Sequence, residues 1–199
     1  MPLDSNKFDT WLKDKPLRDL VFRAFIWSVL SCIAIAYAIK RGLTPVAYVE
    51  RLAESIGPLV NSVGLFALAV GLAALCFKDL EFLDPTRYGQ DSTLGKFGGV
   101  VRRVGGDLML WMLGAFISLL SATVVAIVLT GVSSSEVPQV SSLVYLLLFV
   151  CCGVTVLTYF IRRASPSPAI EMLKKPLILF SAYAVMVCGA VVYLILHAA

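Results

Sequence analysis

The side chains best suited to bind a partner are basic residues that flank long apolar stretches. Arg102 and Arg103 stand together in a glycine-rich segment, and Arg162 and Arg163 follow directly after an apolar run. Arginine binds carboxylates and phosphates through paired hydrogen bonds, so the pattern predicts docking of a protein or of an anionic lipid headgroup. A simpler interpretation is a basic flank that only orients the chain in a membrane. The predicted docking residues are Lys96, Arg102, Arg103, Arg162 and Arg163.

Residue types that carry catalysis or metal binding are scarce and poorly placed. The only histidine is His197, and all five cysteines fall in apolar stretches without metal-ligand spacing. Gly95-Lys96 is followed by Phe97, whereas a phosphate-binding loop requires serine or threonine there. No Asp, Glu, Lys or Arg lies in the central part of any long apolar stretch, which disfavours ion-coupled transport and intramembrane catalysis. The sequence therefore predicts no enzyme activity, no cofactor and no metal site.

The composition indicates the solvent in which this chain folds. Of its 199 residues, 59% are hydrophobic and 15% are charged, and the mean hydropathy is +0.87. Soluble domains carry about a quarter charged residues, so we expect this chain in a lipid bilayer. About 20 apolar residues in a helix cross the hydrocarbon layer, where backbone groups must bond within their own segment. We predict an all-α polytopic membrane helix bundle with five transmembrane helices, over residues 20–39, 56–77, 108–131, 140–161 and 176–196.

The basic residues predict the orientation of the bundle. With the N-terminus inside, 14 of the 17 lysines and arginines fall in inner segments and three fall in outer ones. Positively charged segments stay on the cytoplasmic side, so we predict an N-in, C-out orientation. The net charge of +4 is explained in this way without a direct nucleic acid partner. The pattern is typical of a protein of the bacterial inner (cytoplasmic) membrane, surrounded by membrane lipids.

Segments outside the spans have a recognisable character of their own. Residues 1–19 predict a cytoplasmic amphipathic N-terminal segment, and residues 20–199 predict a single transmembrane bundle. Within the bundle, residues 78–107 predict a Gly-rich cytoplasmic loop, which is the best candidate for a contact surface. On the outer side, Thr44-Pro45 predicts the start of an amphipathic helix. Pro58 predicts a bend where that helix continues into the second span.

Small residues recur at every fourth position in two of the spans. This spacing places them along one stripe of a helix, where they let two backbones approach closely. Such a stripe can pack against another helix of the same chain or form the interface with a second copy. The stripe in the first span comprises Ala24, Ser28, Cys32 and Ala36, and the stripe in the third comprises Gly114, Ser118, Ala122 and Ala126.

A few polar residues within the spans predict either hydrogen bonds between helices or the lining of a pore. Asn61 is the most polar residue within a span, and Ser121 and Thr155 carry hydroxyl groups. Hydroxyl groups in spans bond to their own helix, and an asparagine pairs with a neighbouring helix. If several copies formed a ring, the same three residues would be the candidates to line a narrow aqueous path.

Together these features favour a non-catalytic integral membrane subunit over an enzyme. It would form a homo-oligomer and anchor or signal to a cytoplasmic protein partner through its inner surface, as a sensor or an effector does. Analogy with membrane proteins of this build suggests a bacterial defence or stress system. The alternative is an oligomeric pore or channel that permeabilises the membrane.

Overall fold

The computed structural model describes residues 16–89, 91–131, 137–163, 165–173 and 175–197. Within these ranges the regular structure is helical, and five helices are long and apolar enough to cross a membrane. The prediction of an all-α bundle with five candidate spans is therefore confirmed, while its orientation remains a prediction. The helices are α1 Pro16–Lys40, α2 Pro45–Leu59, α3 Leu65–Leu83, α4 Pro85–Tyr88, α5 Thr93–Thr130, α6 Val137–Arg162, α7 Ala169–Met172 and α8 Pro176–His197.

The helices begin where proline or a capping side chain favours a start. Proline is the first residue of α2, α4 and α8, a position where its missing N–H costs no helical hydrogen bond. The Thr44 hydroxyl accepts a 3.2 Å hydrogen bond from the Ala47 N–H, as the predicted cap requires. Residues 16–19, the last four of the predicted N-terminal segment 1–19, belong to α1. The remainder of that segment lies outside the described residues.

A π turn directly follows the helix that contains Pro58, the residue at which the sequence predicts a bend. Pro58 has no N–H to donate to the Glu54 carbonyl, and a π turn follows at Val60–Gly64 before α3 begins. Leu52 and Ile56 are half-buried on one side of α2. The charged residues on its exposed side are Glu50, Arg51 and Glu54.

Helix α3 is the central helix of the bundle. It packs against α5, α6 and α8, and 56% of its most apolar stretch is buried, compared with 12–33% for the other spans. Ala74 and Leu80 of α3 join Met109 and Leu113 of α5 in the hydrophobic core. Large apolar side chains such as Phe149 are exposed on the outer helices, as expected for a surface that lipid would cover.

The segment 78–107, which was expected to be a Gly-rich loop, is helical over most of its length. Helix α3 continues to Leu83, and α5 already begins at Thr93. Charges and glycines mark the end of the apolar stretch, but the helices continue beyond that point, and the cytoplasmic location of the segment remains a prediction. A short connection containing α4 remains, and Ser92 caps α5 by accepting a 2.9 Å hydrogen bond from the Gly95 N–H.

Glycines of this segment lie where α5 packs against α3. A Cβ atom on Gly105 would lie 2.8 Å from the Ala74 Cβ, and one on Gly98 would lie 3.1 Å from the Phe77 side chain. Both distances are shorter than an ordinary contact between carbon atoms, which is about 3.5–4.0 Å. The two glycines therefore allow a close approach of two helices.

Candidate functional site

One end of the bundle holds charged and hydroxyl side chains from all five candidate spans. The orientation prediction places this end on the cytoplasmic side. Charged side chains near lipid are costly unless they find partners, so their contacts decide how this end is built. We call this set the polar cluster; its members are Asp19, Arg23, Lys78, Asp79, Glu81, Arg102, Arg162, Ser167 and Tyr183.

Three members of the polar cluster belong to α3, and among them Asp79 makes the most hydrogen bonds to described residues. Its side chain is fully buried. One carboxylate oxygen accepts a 3.0 Å hydrogen bond from the Ser167 N–H, and the other accepts hydrogen bonds from the Ser167 hydroxyl and, at 2.9 Å, from the Tyr183 hydroxyl. Three donors replace the water that burial removes from this carboxylate. These contacts tie α3 to α8 and to the connection before α7.

Lys78 is the neighbour of Asp79 on α3 and is also fully buried. Its Nζ donates a hydrogen bond to the Phe160 carbonyl in the last turn of α6. Consecutive helical residues point about 100° apart, so the adjacent lysine and aspartate reach different helices. The last carbonyls of a helix lack partners within the helix, and Lys78 supplies one from outside.

Arg102 of α5 binds the next carbonyl of the same helix end. Its Nε donates a 3.3 Å hydrogen bond to the Ile161 carbonyl, and a terminal nitrogen lies 3.5 Å from a carboxylate oxygen of Glu81 on α3. Two cationic side chains from two other helices thus cap the C-terminal end of α6. Positive charge at this end also complements the helix dipole, so the cap stabilises α6 in two ways.

Asp19 joins α1 to α6 and is only 1% exposed. Its carboxylate accepts hydrogen bonds from the Arg23 Nε at 2.9 and 3.0 Å and from Arg162 at 2.6 Å. Two guanidinium groups around one buried carboxylate offset the cost of removing it from water. With this contact, every candidate span contributes to the polar cluster.

Outside the spans, Asp84 caps the short helix α4. Its Oδ1 accepts a 2.6 Å hydrogen bond from the Thr86 hydroxyl and a 3.2 Å hydrogen bond from the Arg87 N–H. The Thr86 hydrogen bond holds the pKa of the Asp84 carboxyl below its ordinary value, and the backbone hydrogen bond from Arg87 acts in the same direction. A lowered pKa means that the cap is present near neutral pH and is lost only as the pH falls through that pKa.

An open cleft of about 380 Å³ lies beside the polar cluster. Arg102 and Arg162 line it while using part of their N–H groups within the cluster, whereas Arg103 has no ion pair or hydrogen bond to the described residues. A Cβ atom on Gly99 would meet no atom within 4 Å, so this side of the cleft is empty space. We call it the arginine cleft; its lining is Pro16, Gly99, Arg102, Arg103, Gly106, Asp107, Ile161 and Arg162.

Three of the five basic residues predicted to dock a partner meet in this cleft. They are Arg102, Arg103 and Arg162, whereas Lys96 and Arg163 are exposed outside its lining. The sequence did not indicate that Arg102 and Arg162 would be held in ion pairs with acidic residues of α3 and α1. The two arginines therefore contribute to helix packing as well as to the cleft.

Members of both small-residue stripes lie in the contact between α1 and α5 within this chain. The Ser121 hydroxyl donates a 3.0 Å hydrogen bond to the Ser28 hydroxyl, and the Ser31 hydroxyl donates a 2.8 Å hydrogen bond to the Ser118 carbonyl. A Cβ atom on Gly114 would lie 3.0 Å from a tryptophan ring of α1. Close packing of α1 on α5 is the interpretation that these contacts support.

The remaining members of the stripes differ in exposure. Ala122 and Ala126 of α5 are buried, and Ala24 of α1 is half-buried. Cys32 and Ala36 of α1 are exposed. The stripe on α5 is therefore covered by this chain, and the second half of the α1 stripe is left accessible to another copy.

The three residues predicted to line a pore lie in different settings. Asn61 falls in the π turn, and its side chain is outside the described part of the structure. Ser121 is bonded to α1, and the Thr155 hydroxyl donates a 2.7 Å hydrogen bond to the Cys151 carbonyl of its own helix. Both hydroxyl groups thus have partners within one chain.

Sequence reasoning missed Lys78 and Asp79 because it ended the second span at Phe77. A signal was present, since Leu80 and Leu83 continue the apolar pattern of the helix past the charged pair. Within the described ranges, no group of three or more His, Cys, Asp or Glu side chains is arranged to hold a metal ion.

In comparisons with known proteins, no family model, no curated protein and no solved structure matches this chain. Its function is therefore inferred from the polar cluster and the arginine cleft.

Proposed function

We propose that this chain is a non-catalytic subunit of a bacterial inner membrane that self-associates and presents its polar-cluster end to a cytoplasmic protein. The observation that carries the proposal is that the ion pairs among the described residues lie at one end of the bundle. The described salt bridges all lie at this end, made by Arg23, Arg102 and Arg162. An end that is both rigidly held and rich in charge suits a docking surface for a soluble partner.

The first turns of α5 supply a surface beyond the membrane. Helix α5 has 38 residues, or roughly 57 Å at 1.5 Å per residue, and the hydrocarbon layer is about 30 Å thick. Its apolar part is the C-terminal two thirds, so the excess length lies at the polar-cluster end. Lys96, Phe97, Val100 and Arg103 are exposed there. A surface that mixes apolar and basic side chains is typical of protein interfaces.

The ionisable groups of the polar cluster support a structural role over a catalytic one. A general acid or base must reach the substrate whose proton it transfers. Asp19, Lys78 and Asp79 are buried and bonded to neighbouring helices. The residues that line the arginine cleft include one carboxylate, that of Asp107.

Self-association is proposed to use the exposed face of α1. Cys32 and Ala36 are exposed, and Phe25 and Ile33 lie on the same face of this helix at 66% and 60% exposure. Small residues let a second helix approach closely while the larger neighbours pack beside it. This face could therefore bring two copies of α1 together.

A pore formed by an oligomer is the alternative, and it has less support. Pore linings present polar groups to water, whereas the Ser121 and Thr155 hydroxyl groups are bonded within the chain. Conductance of the purified oligomer in a planar bilayer tests this alternative. Stable ion currents from wild-type protein would favour the pore over the docking subunit.

Site-specific photo-crosslinking in the native host tests the proposed docking role. A photoreactive amino acid replaces Lys96 or Val100 at the polar-cluster end, and matched variants carry it at Val128 or Tyr145 toward the other end. All four side chains are exposed, so the substitutions leave the described packing unchanged. We expect both positions at the polar-cluster end to give the same protein adduct, identified by mass spectrometry, and the two control positions to give none.

Two results would contradict this role. One is equal protein labelling from both ends, and the other is labelling of lipid alone at Lys96 and Val100.

The orientation is checked separately with a membrane-impermeant thiol reagent on intact cells, in a background without the native cysteines. Glu50→Cys should be labelled and Lys96→Cys should be protected, and the reverse pattern would refute the N-in orientation.

A further inference from the structure

The arginine cleft and the polar cluster together carry an excess of positive charge. Their side chains include five basic groups and four acidic ones, so one positive charge lacks a counterpart. The acidic members are Asp19, Asp79 and Glu81, each with described partners, and Asp107 in the cleft lining. One monovalent anion in the cleft would complete the balance.

The donors that such an anion needs are already in place. Arg103 has no partner among the described residues, and a guanidinium group carries five N–H donors in a planar fork. Arg162 uses one terminal nitrogen on Asp19, and Arg102 uses its Nε and one terminal nitrogen. Each of the three arginines therefore keeps N–H groups for the cleft, and guanidinium groups bind phosphate oxygens in pairs.

The cleft has room for a phosphate group and its ester carbons. Its volume is about 380 Å³, and a Cβ atom on Gly99 would meet nothing within 4 Å. Half-buried Pro16 adds apolar surface to the lining beside the arginines. A charged wall next to an apolar one matches a headgroup whose phosphate continues into a lipid.

The position of the cleft along α5 matches the headgroup layer. Thr130, at the far end of α5, is 27 positions from Arg103, a distance of roughly 40 Å along the helix. The hydrocarbon layer spans about 30 Å, so Arg103 lies roughly 10 Å beyond it when the far end of α5 is at the opposite boundary. Trp111, two turns further along, is 45% exposed and is a residue type enriched at the membrane interface.

We propose that the arginine cleft binds the phosphodiester headgroup of an anionic phospholipid, with Arg103 as its principal ligand. Basic pockets between transmembrane helices are known sites for anionic headgroups. The bound phosphate would bridge α5 and α6, because Arg103 belongs to the first and Arg162 to the second. Lipid binding at this site is independent of whether a protein docks on the exposed residues around it.

Lipid retention by the purified full-length protein tests the proposal. The protein is purified in mild detergent containing equal amounts of phosphatidylglycerol and phosphatidylcholine, and native mass spectrometry counts the lipids that stay bound. Wild type should retain phosphatidylglycerol in preference to phosphatidylcholine. Arg103→Gln should lower that preference about tenfold or more, because it removes charge-assisted hydrogen bonds to the phosphate. Gly99→Leu should have the same effect, because its side chain fills the cleft.

Matched controls separate a specific site from general attraction. Lys96→Gln removes the same charge from the same helix outside the cleft, and it should leave the preference unchanged. Every variant must elute as a monodisperse peak, which Arg103→Gln should do because it loses no described contact. The proposal is overturned if wild type shows no preference, if Gly99→Leu retains the lipid, or if Lys96→Gln loses as much as Arg103→Gln.

An excess of inorganic phosphate distinguishes the two sources of a phosphate group. Phosphatidylglycerol that remains bound in the presence of this excess supports the lipid assignment. Its displacement by inorganic phosphate would overturn that assignment and place a soluble phosphate compound in the cleft.

Discussion

Replacing Tyr183 with phenylalanine removes one hydrogen bond from the buried carboxylate of Asp79 and little else. Tyr183 is 4% exposed, and its hydroxyl donates to Asp79 at 2.9 Å. Phenylalanine keeps the ring, so the packing of α8 against α3 is preserved. The two hydrogen bonds from Ser167 also remain.

The magnitude follows from the setting of this hydrogen bond. Hydrogen bonds to charged groups in proteins contribute about 1.5–3 kcal/mol. Measured couplings between membrane helices are smaller, on average about 0.6 and at most about 1.7 kcal/mol. Because Asp79 is fully buried but keeps the donors of Ser167, we expect a cost of about 1–2 kcal/mol, or roughly a 5–30-fold change in the opening equilibrium.

Thiol labelling of Cys76 is a suitable assay. Cys76 is 5% exposed and lies one turn from Asp79 on α3, so a reagent reaches it when this part of the bundle opens. With the other four cysteines changed to alanine, Tyr183→Phe should raise the labelling rate roughly 5–30-fold. Tyr145→Phe removes the same hydroxyl from an exposed tyrosine and should leave the rate unchanged.

An unchanged labelling rate in Tyr183→Phe would refute the reasoning. It would mean that the hydroxyl contributes no net free energy at this site, and that α8 is held by packing alone. An equal increase in both tyrosine variants would also refute it, because the effect would then not depend on Asp79.

Three further predictions concern packing and assembly. Gly105→Ala should lower the free energy of unfolding by up to about 2 kcal/mol, because its Cβ would lie 2.8 Å from a carbon of α3. Gly99→Ala meets open space and should raise the free energy of unfolding by about 0.5–1 kcal/mol. Equal shifts of the unfolding temperature in the two variants would contradict the close approach of α5 to α3. Arg162→Gln should lower the free energy of unfolding by about 1–3 kcal/mol, because Asp19 would keep a single arginine partner. An unchanged free energy of unfolding in denaturing detergent would mean that this ion pair does not stabilise the bundle. With Cys32 as the sole cysteine, mild oxidation should give a disulfide-linked dimer in membranes, and monomer alone would exclude an interface centred on this residue.

Helix number and type could be read from composition and length because lipid allows few structures. An apolar stretch of about 20 residues must satisfy its own backbone hydrogen bonds, so it forms a helix whatever its content of β-branched residues. The spans expected at 140–161 and 176–196 agree with α6 and α8 within three residues at each end.

Helix ends were harder to predict, and the segment 78–107 shows why. Hydropathy reports where a helix leaves lipid, and α3 and α5 both continue beyond that level. Gly98 and Gly105 are of a residue type that is common in loops, but they lie where α5 packs against α3. Whether a glycine loosens a chain or lets two helices approach depends on what faces it, and the local sequence does not contain that information.

By itself, the sequence determined the lipid environment, the helical class, the five candidate spans and the basic residues that gather at one end. Each of these depends on local composition and length. Only the tertiary structure decided which charges pair, since Asp19 and Arg162 are 143 positions apart and Asp79 and Tyr183 are 104 apart. The physical reason is that these helices are apolar on nearly every side. Their rotation about their own axes is therefore set by contacts such as glycine against a methyl group and carboxylate against hydroxyl, and not by a hydrophobic pattern.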